Sequence, residues 1–212
     1  MFFLSWIRPS PREQKDCINR SGLFNYDAKF RGASAMAASC LREDDELSKH
    51  GFFINHARVL VGSGVETFEK GKIALQTWRH FGLGWAFVDE RAPIRSGARF
   101  CVCVKEFLPW LMMPLQVVYV KEKRKSDGHV LASFSFGSGT LKGHLLQAGE
   151  ERFSMELDQN DKVWYEIVSF SKPAHFLSVV GYPYVQLMQK RFARQSANAI
   201  IKHLSGSNDI GK

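Results

Sequence analysis

Apolar and polar residues alternate in six short runs between Trp85 and Phe170, and after Ser171-Lys172-Pro173 the repeat lengthens to that of a helix. Alternation gives a strand one greasy face and one wet face. Six such strands in succession, with no helix-length crossover between them, form an antiparallel meander. The runs are Trp85–Val88, Arg99–Lys105, Leu115–Glu122, His129–Phe136, Glu151–Leu157 and Val163–Phe170. Turn signals separate them at Ser96-Gly97, Ser126-Asp127-Gly128 and Asp158-Gln159-Asn160-Asp161. The cleanest alternation sets Phe153, Met155 and Leu157 against Arg152, Ser154 and Glu156, so the last two runs form a hairpin.

The helical pattern that follows has two parts. A short helix is expected over Ala174–Val180, stopped at Gly181, and a long one from Pro183 to about Leu204. On the long helix Val185, Met188, Phe192, Ser196, Ala199 and His203 share a face, with Leu187 and Ile200 at its edge. A helix with one apolar face buries it on the concave side of a sheet. The expected fold class is therefore α+β: a curved antiparallel sheet of about six or seven strands packed on a long C-terminal helix. That order resembles the helix-grip arrangement of START-like and plant-allergen-like ligand carriers, an analogy of fold that carries no function.

Upstream the signals are more local. Ser10-Pro11-Arg12-Glu13 is a helix start, with Ser10 as cap, Pro11 in the first turn and Glu13 completing a capping box; Gly22 is expected as its left-handed stop. The segment from Phe24 to Leu47 reads as mostly irregular. Phe52–Val61 reads as a strand, Gly62-Ser63-Gly64 as a turn, and Glu66–Trp78 as a helix, with Phe68, Leu75 and Trp78 at helical spacing. Gly71 weakens that helix by about 1 kcal/mol unless a neighbour packs close to it. Together this is one domain over residues 1–212, with 1–23 as an N-terminal helical extension and 205–212 as a flexible tail. The Met1–Pro9 segment is expected to dock on the domain or on a membrane, with the domain preferred.

With 45% apolar and 24% charged residues, the composition is that of a globular chain. The net charge of +8 raises nucleic acid as a partner, but its distribution speaks against one. The dense run Lys121, Lys123, Arg124, Lys125 falls at a hairpin tip, and Lys190, Arg191 and Arg194 sit on the long helix. Neither has the interleaved aromatics of a stacking platform. The stretch Leu108–Val120 is broken by Pro109, Pro114 and Gln116, so no transmembrane segment is expected. Cys101 and Cys103 share a strand face without a histidine at metal-ligand spacing, and Cys17 and Cys40 complete the set. Free buried thiols and no metal are expected, in an intracellular and most simply cytoplasmic protein, with an organelle stroma as the other setting. The sequence is silent on oligomeric state.

Three places gather chemistry-bearing residues. In the first, Thr140, His144, Glu150, Glu151 and Arg152 lie in a glycine-rich stretch read as a loop at strand ends. His144 with Glu150 or Glu151 has the types of a proton-transfer pair; the plainer reading is a satisfied ion pair and a turn-capping histidine. In the second, the Gly62-Ser63-Gly64 amides could hold an anion, but Glu66 and Glu69 in the following turns oppose it, so a tight turn into a capped helix is preferred. The third is an aromatic set with Trp78, Trp85, Tyr119 and Phe192 as candidates to line a pocket, against the reading of an ordinary core. Motif searches for HExxH, G-x-S-x-G and phosphate-binding loops find none, and no cofactor is implied.

The run Gly139-Thr140-Leu141, His144, Gly149-Glu150-Glu151 and Phe153 resembles the signature of uncharacterised protein family 0548. The stretches Ile54-Asn55-His56-Ala57-Arg58-Val59-Leu60-Val61-Gly62 and Ser169-Phe170-Ser171-Lys172-Pro173-Ala174-His175-Phe176-Leu177 are similar to its plant members. The resemblance spans about Phe24 to Leu204 and implies no activity and no catalytic residue. Three functions remain as expectations. The first is a binding module for a small apolar or lipid-like ligand under the long helix. The second is a hydrolase or proton-transfer enzyme using His144 with Glu150/Glu151, and the third an interaction or regulatory protein binding an acidic partner through Lys121–Lys125.

Overall fold

The computed structural model describes residues 3–105, 109–124, 130–174 and 181–206. Eight strands form one antiparallel sheet: β1 (Phe3–Ser5), β2 (Phe53–Ser63), β3 (Ala86–Phe87), β4 (Arg99–Val104), β5 (Trp110–Arg124), β6 (Val130–Thr140), β7 (Gln147–Asp158) and β8 (Lys162–Pro173). Seven lie in the order β2-β8-β7-β6-β5-β4-β3, and β1 pairs with β5. The helices are α1 (Pro11–Arg20), α2 (Ala38–Arg42), α3 (Asp45–Lys49), α4 (Val65–Gln76) and α5 (Tyr182–Gly206). This is the expected α+β class, a curled sheet with α5 packed on its inner face.

The capping box forms as read. The Glu13 amide donates to Ser10 Oγ at 3.3 Å, and the Ser10 amide donates to the Glu13 carboxylate at 2.8 Å. The stop differs: α1 ends at Arg20 with Ser21 extended (φ −69°, ψ 143°). Gly22 serves close approach instead, since a Cβ there would meet Lys142 Cβ at 2.9 Å. The N-terminal segment docks through β1, whose Phe3–Ser5 pair with Met112–Trp110. Its strand was not readable because three residues carry no period. Phe3, Cys17, Cys101, Cys103, Trp110 and Met112 form a small core where β1 and α1 meet β4 and β5. All four cysteines are free; Cys40 is exposed, against expectation, because α2 lies on the surface.

β5 starts at Trp110 and runs through Pro114, not from Leu115 as alternation suggests. The proline stands where β5 changes neighbour: β1 pairs with residues 110–112 and β6 with 115–124. A residue without an N–H fits at such a junction. β6, β7 and β8 likewise outrun their expected ends, so Thr140 and Gln147–Arg152 are strand, and the glycine-rich "loop" shrinks to a turn between β6 and β7. Phe24–Leu47 is also more ordered than expected, with 3-10 turns at Ala28–Phe30 and Ala33–Ala35 followed by α2 and α3. The expected helix over Ala174–Val180 and the tip at Lys125–Gly128 fall largely or wholly outside the described residues. Of the basic run before that tip, Arg124 pairs with Glu69 at 3.0 Å.

The main core lies between the inner face and the helices. On α4, Phe68, Gly71, Ala74 and Leu75 are buried, and a Cβ on Gly71 would come within 2.8 Å of Met155 Cε. The helix thus accepts its weak residue in exchange for close contact with β7. Trp78 does not end α4: it follows it with φ 58°, and its indole donates to the Ala92 carbonyl at 2.8 Å. On α5 the fully buried positions are Val185, Ser196, Ala197, Ile200 and Leu204. The stripe therefore runs through Ala197, Ile200 and Leu204, not Ala199 and His203, because the last turns of α5 pack on α4 and the turn at Arg79–Phe81. The Tyr165 and Ser196 hydroxyls meet at 2.7 Å where helix and sheet touch.

Candidate functional site

Strand periodicity divides the predicted site. On β7, Glu150, Arg152 and Ser154 face one side; Glu151, Phe153, Met155 and Leu157 face the other. Registers extend each row across the sheet. Glu150 lies beside Gly139 and Phe170, and Arg152 beside Gly137 and Val168. Glu151 lies level with Ser138 and Ser169, and Ser169 with Asn55 of β2.

The outer row is a dense hydrogen-bonded network in which the buried Arg152 Nε is left without a partner among the described residues. Glu150 is 2% exposed. It accepts from Tyr26 Oη (2.7 Å), the Gly32 amide (2.7 Å), Ser34 Oγ (2.8 Å) and the Ser34 amide (3.3 Å). The Tyr119 hydroxyl meets Ser34 Oγ at 3.0 Å. Arg152 donates to the Ser34 and Met36 carbonyls (2.9 and 2.7 Å) and to Glu166 (2.7 Å). Glu166 also meets His56 Nε2 at 2.8 Å, and Arg42 donates to His56 Nδ1 at 2.9 Å. This network ties residues 24–42 to the sheet. Gly137 and Gly139 leave room for it, since side chains there would strike Tyr119 and Tyr26. Burial pushes the Tyr119 phenol up to about 12, so it stays neutral.

Facing α5, the inner row is open. A cavity of about 320 Å³ lies between α5 and the sheet, walled by side chains such as Phe81, Trp85, Val102, Met113, Met188 and Phe192. Glu151, His144, Ser138, Ser169 and Gln189 are among its polar lining residues. Glu151 is the unusual one. Among the described residues its carboxylate has no hydrogen-bond or ion-pair partner. Its remaining exposure is toward the cavity, and burial pushes its carboxyl up to about 7. Neutral water thus holds it as a mixture of acid and carboxylate, able to donate or accept. Among the described residues, neither Ser138 nor Ser169 bonds to another side chain, although both are buried beside it. Asn55 is already engaged: it donates to Gln189 Oε1 at 2.8 Å, and Gln189 donates to Ser171 Oγ at 3.3 Å.

His144 is buried and its Nδ1 accepts from the Gln147 amide at 3.2 Å, which leaves the ring proton on Nε2. Burial lowers it to about 3, so it is a neutral imidazole in the cavity wall. Thr140 accepts from the Gly149 amide at 2.9 Å and donates to Asn25 at 2.5 Å, closing the β6–β7 junction. So of the polar group read from sequence, Glu151 and His144 share the cavity, Thr140 sits at its edge, and the side chains of Glu150 and Arg152 lie on the far side of the sheet. The aromatic group divides as well: Trp85 and Phe192 line the cavity, Trp78 lies in the core behind it, and Tyr119 belongs to the outer network. The missed residues are Ser138, Ser169, Asn55 and Gln189. Their signal is a polar residue where alternation asks for an apolar one, as in Phe134-x-Phe136-x-Ser138 and Tyr165-x-Ile167-x-Ser169.

Among the described residues, no group of three or more His, Cys, Asp or Glu side chains is placed to hold a metal ion, and no helix is long and apolar enough to cross a membrane. Comparison with known proteins places the geometry in context. A family model described as "Domain of unknown function (DUF1990)" matches residues 36–199. A UPF0548 protein of Arabidopsis thaliana is 63% identical over 207 residues, covering 98% of this chain and 100% of that one. One from Dictyostelium discoideum is 30% identical over 213 residues, covering 96% of each. Among solved structures, the crystal structure of Ara h 8.0201 aligns with a TM-score of 0.46 at 8% identity, over 74% of this chain and 99% of that one.

Proposed function

The chain belongs to the UPF0548 family, which carries this domain of unknown function, and from that premise we propose that it is a binding module for a small, largely apolar molecule held between the sheet and α5. The observation that supports this is the cavity of about 320 Å³, walled by apolar side chains and holding one unpartnered carboxyl, Glu151. Pockets of this size and lining are those that accept small ligands. A carboxyl left without a protein partner costs stability, and a ligand donor would relieve it. The buried free thiols Cys17, Cys101 and Cys103 fit a reducing compartment.

The test uses the neutral apolar probe N-phenyl-1-naphthylamine, whose emission rises in an apolar site. The reading expects saturable binding with one probe per chain, energy transfer from Trp85, and loss of both on Met188→Trp, which fills the cavity from half-buried α5. No saturable binding, or equal binding by the variant, counts against it. Native mass spectrometry of the purified protein, followed by extraction, would identify any molecule that co-purifies.

The state of Glu151 favours one second reading. A carboxyl held near 7 beside two serine hydroxyls can shuttle a proton to a bound molecule, with the neutral His144 as a hydrogen-bond partner. Replacing Glu151 by Gln separates the two. A carrier keeps probe binding and leaves a co-purified ligand unchanged, whereas a proton-transfer enzyme loses conversion of that ligand while still binding it.

A further inference from the structure

The space under α5 does not end at Glu151. A second cavity, of about 420 Å³, opens between edge strand β2 and α5. It shares Glu151, Ser169 and Gln189 with the first, so the two meet at the polar row. Their walls differ in kind. The first is apolar; the second carries Lys190 and Arg194, one turn apart on α5 and both exposed.

Those two cations differ from other basic side chains nearby. Among the described residues neither pairs with a carboxylate. Other basic side chains in the same sheet-and-helix layer do pair: Lys72 with Glu122, Arg58 with Glu156, Arg124 with Glu69. The 25 residues of α5 contain no Asp or Glu, and β2 contains none either. The one acidic residue in the second cavity's wall is Glu151, at its inner end. Like charges four apart on a helix oppose its formation, so their presence on a wall with a single carboxyl, at its inner end, needs another reason. Arg191, between them in sequence, points elsewhere and lies 5.1 Å over the Trp85 ring at the first cavity.

We infer that the second cavity is a head-group site, and that the ligand is an anionic amphiphile whose apolar body fills the first cavity while its carboxylate or phosphate sits at Lys190 and Arg194. This rests on the ligand-binding reading above and names the class of ligand. The guanidinium of Arg194 offers paired donors that match either anion, and Lys190 adds a mobile point charge. Ser169 and Gln189 at the join suit the polar atoms that link chain to head group.

The experiment displaces N-phenyl-1-naphthylamine from the full chain with decanoate, decyl phosphate and decan-1-ol, all below micelle formation. The two anions are expected to displace the probe at about five- to tenfold lower concentration than the alcohol, the scale of two exposed ion pairs. That advantage is expected to vanish in the double variant Lys190→Gln/Arg194→Gln, and in wild type at about 0.5 M salt, where screening is strong. Decan-1-ol should be unaffected by either change, and Lys202→Gln, farther along α5, should leave the preference intact. Decan-1-ol displacing as well as the anions, or an anion preference that survives the double variant, overturns the head-group site and leaves the apolar cavity standing. Displacement by none of the three overturns the ligand-binding reading with it.

Discussion

Glu150 and Glu151 are adjacent on one strand and live in opposite circumstances. Glu150 accepts four hydrogen bonds from Tyr26, Gly32 and Ser34, and its neighbour Arg152 is held by Ser34, Met36 and Glu166. Glu151, one residue away, meets no donor among the described residues and faces a cavity. A carboxylate saturated by protein donors has its energy invested in structure and little left for a ligand. One that is desolvated and unpartnered is destabilising until something binds it. The outer face therefore reads as the device that fastens residues 24–42 to the sheet, and the inner face as the place where chemistry remains available.

The contrast can be broken most forcefully at Arg152. Replacing it by Met leaves Glu166 buried with only His56 and the Ser154 hydroxyl opposite it, and breaking a buried pair from one side costs about 3–5 kcal/mol. Urea denaturation should show that loss with probe binding to the surviving folded fraction unchanged. A cost under about 1 kcal/mol would mean the network is ornamental.

Next in size is the pH dependence that Glu151 imposes. Its folded value of about 7 lies above the ordinary 4.5, so its favourable contribution is complete below about 4.5 and is lost as pH rises through 7. Glu151→Gln removes that loss. The stability of the variant minus that of wild type should therefore grow between pH 4.5 and 8 by as much as ~3 kcal/mol. A difference that stays flat across this range would place Glu151 in an ordinary environment. The two buried neutral histidines act in the other direction. His80 and His144 are both lowered to about 3, so their contribution is lost as pH falls below 6.5, in wild type and variant alike.

A smaller effect sharpens the outer half. Tyr26→Phe removes one donor from Glu150 and should cost about 1–2 kcal/mol. Hydrogen exchange should localise the loosening to residues 24–36 and leave β7 and β8 protected. Uniform loosening of the sheet would show that the segment is not a separable clamp.

Much of this was legible. The alternation Phe153, Met155, Leu157 fixed the β7–β8 hairpin, and traced two residues back it assigns Glu151 to the apolar face and Glu150 to the polar one. The glycines around residues 139–149 obscured that step, because they suggest a loop. In the fold, Gly137 and Gly139 give space to tyrosines from distant segments, and Gly149 avoids the Phe170 carbonyl. The rest depends on partners far apart in sequence. No local pattern tells that Tyr119 meets Ser34, that Trp78 reaches Ala92, or that a three-residue strand at Phe3 completes β5. Lys190 and Arg194 were visible as a cluster, but the wall they belong to appears only when α5 lies beside β2.

The most direct test follows the glutamate side-chain carboxyl signals by 13C NMR during a pH titration, with and without N-phenyl-1-naphthylamine. The account predicts that the Glu151 signal titrates near 7 and shifts when the probe binds, while the Glu150 signal is indifferent to the probe. A Glu151 signal that titrates with the ordinary carboxylates near 4.5, or that ignores a bound probe, would contradict it.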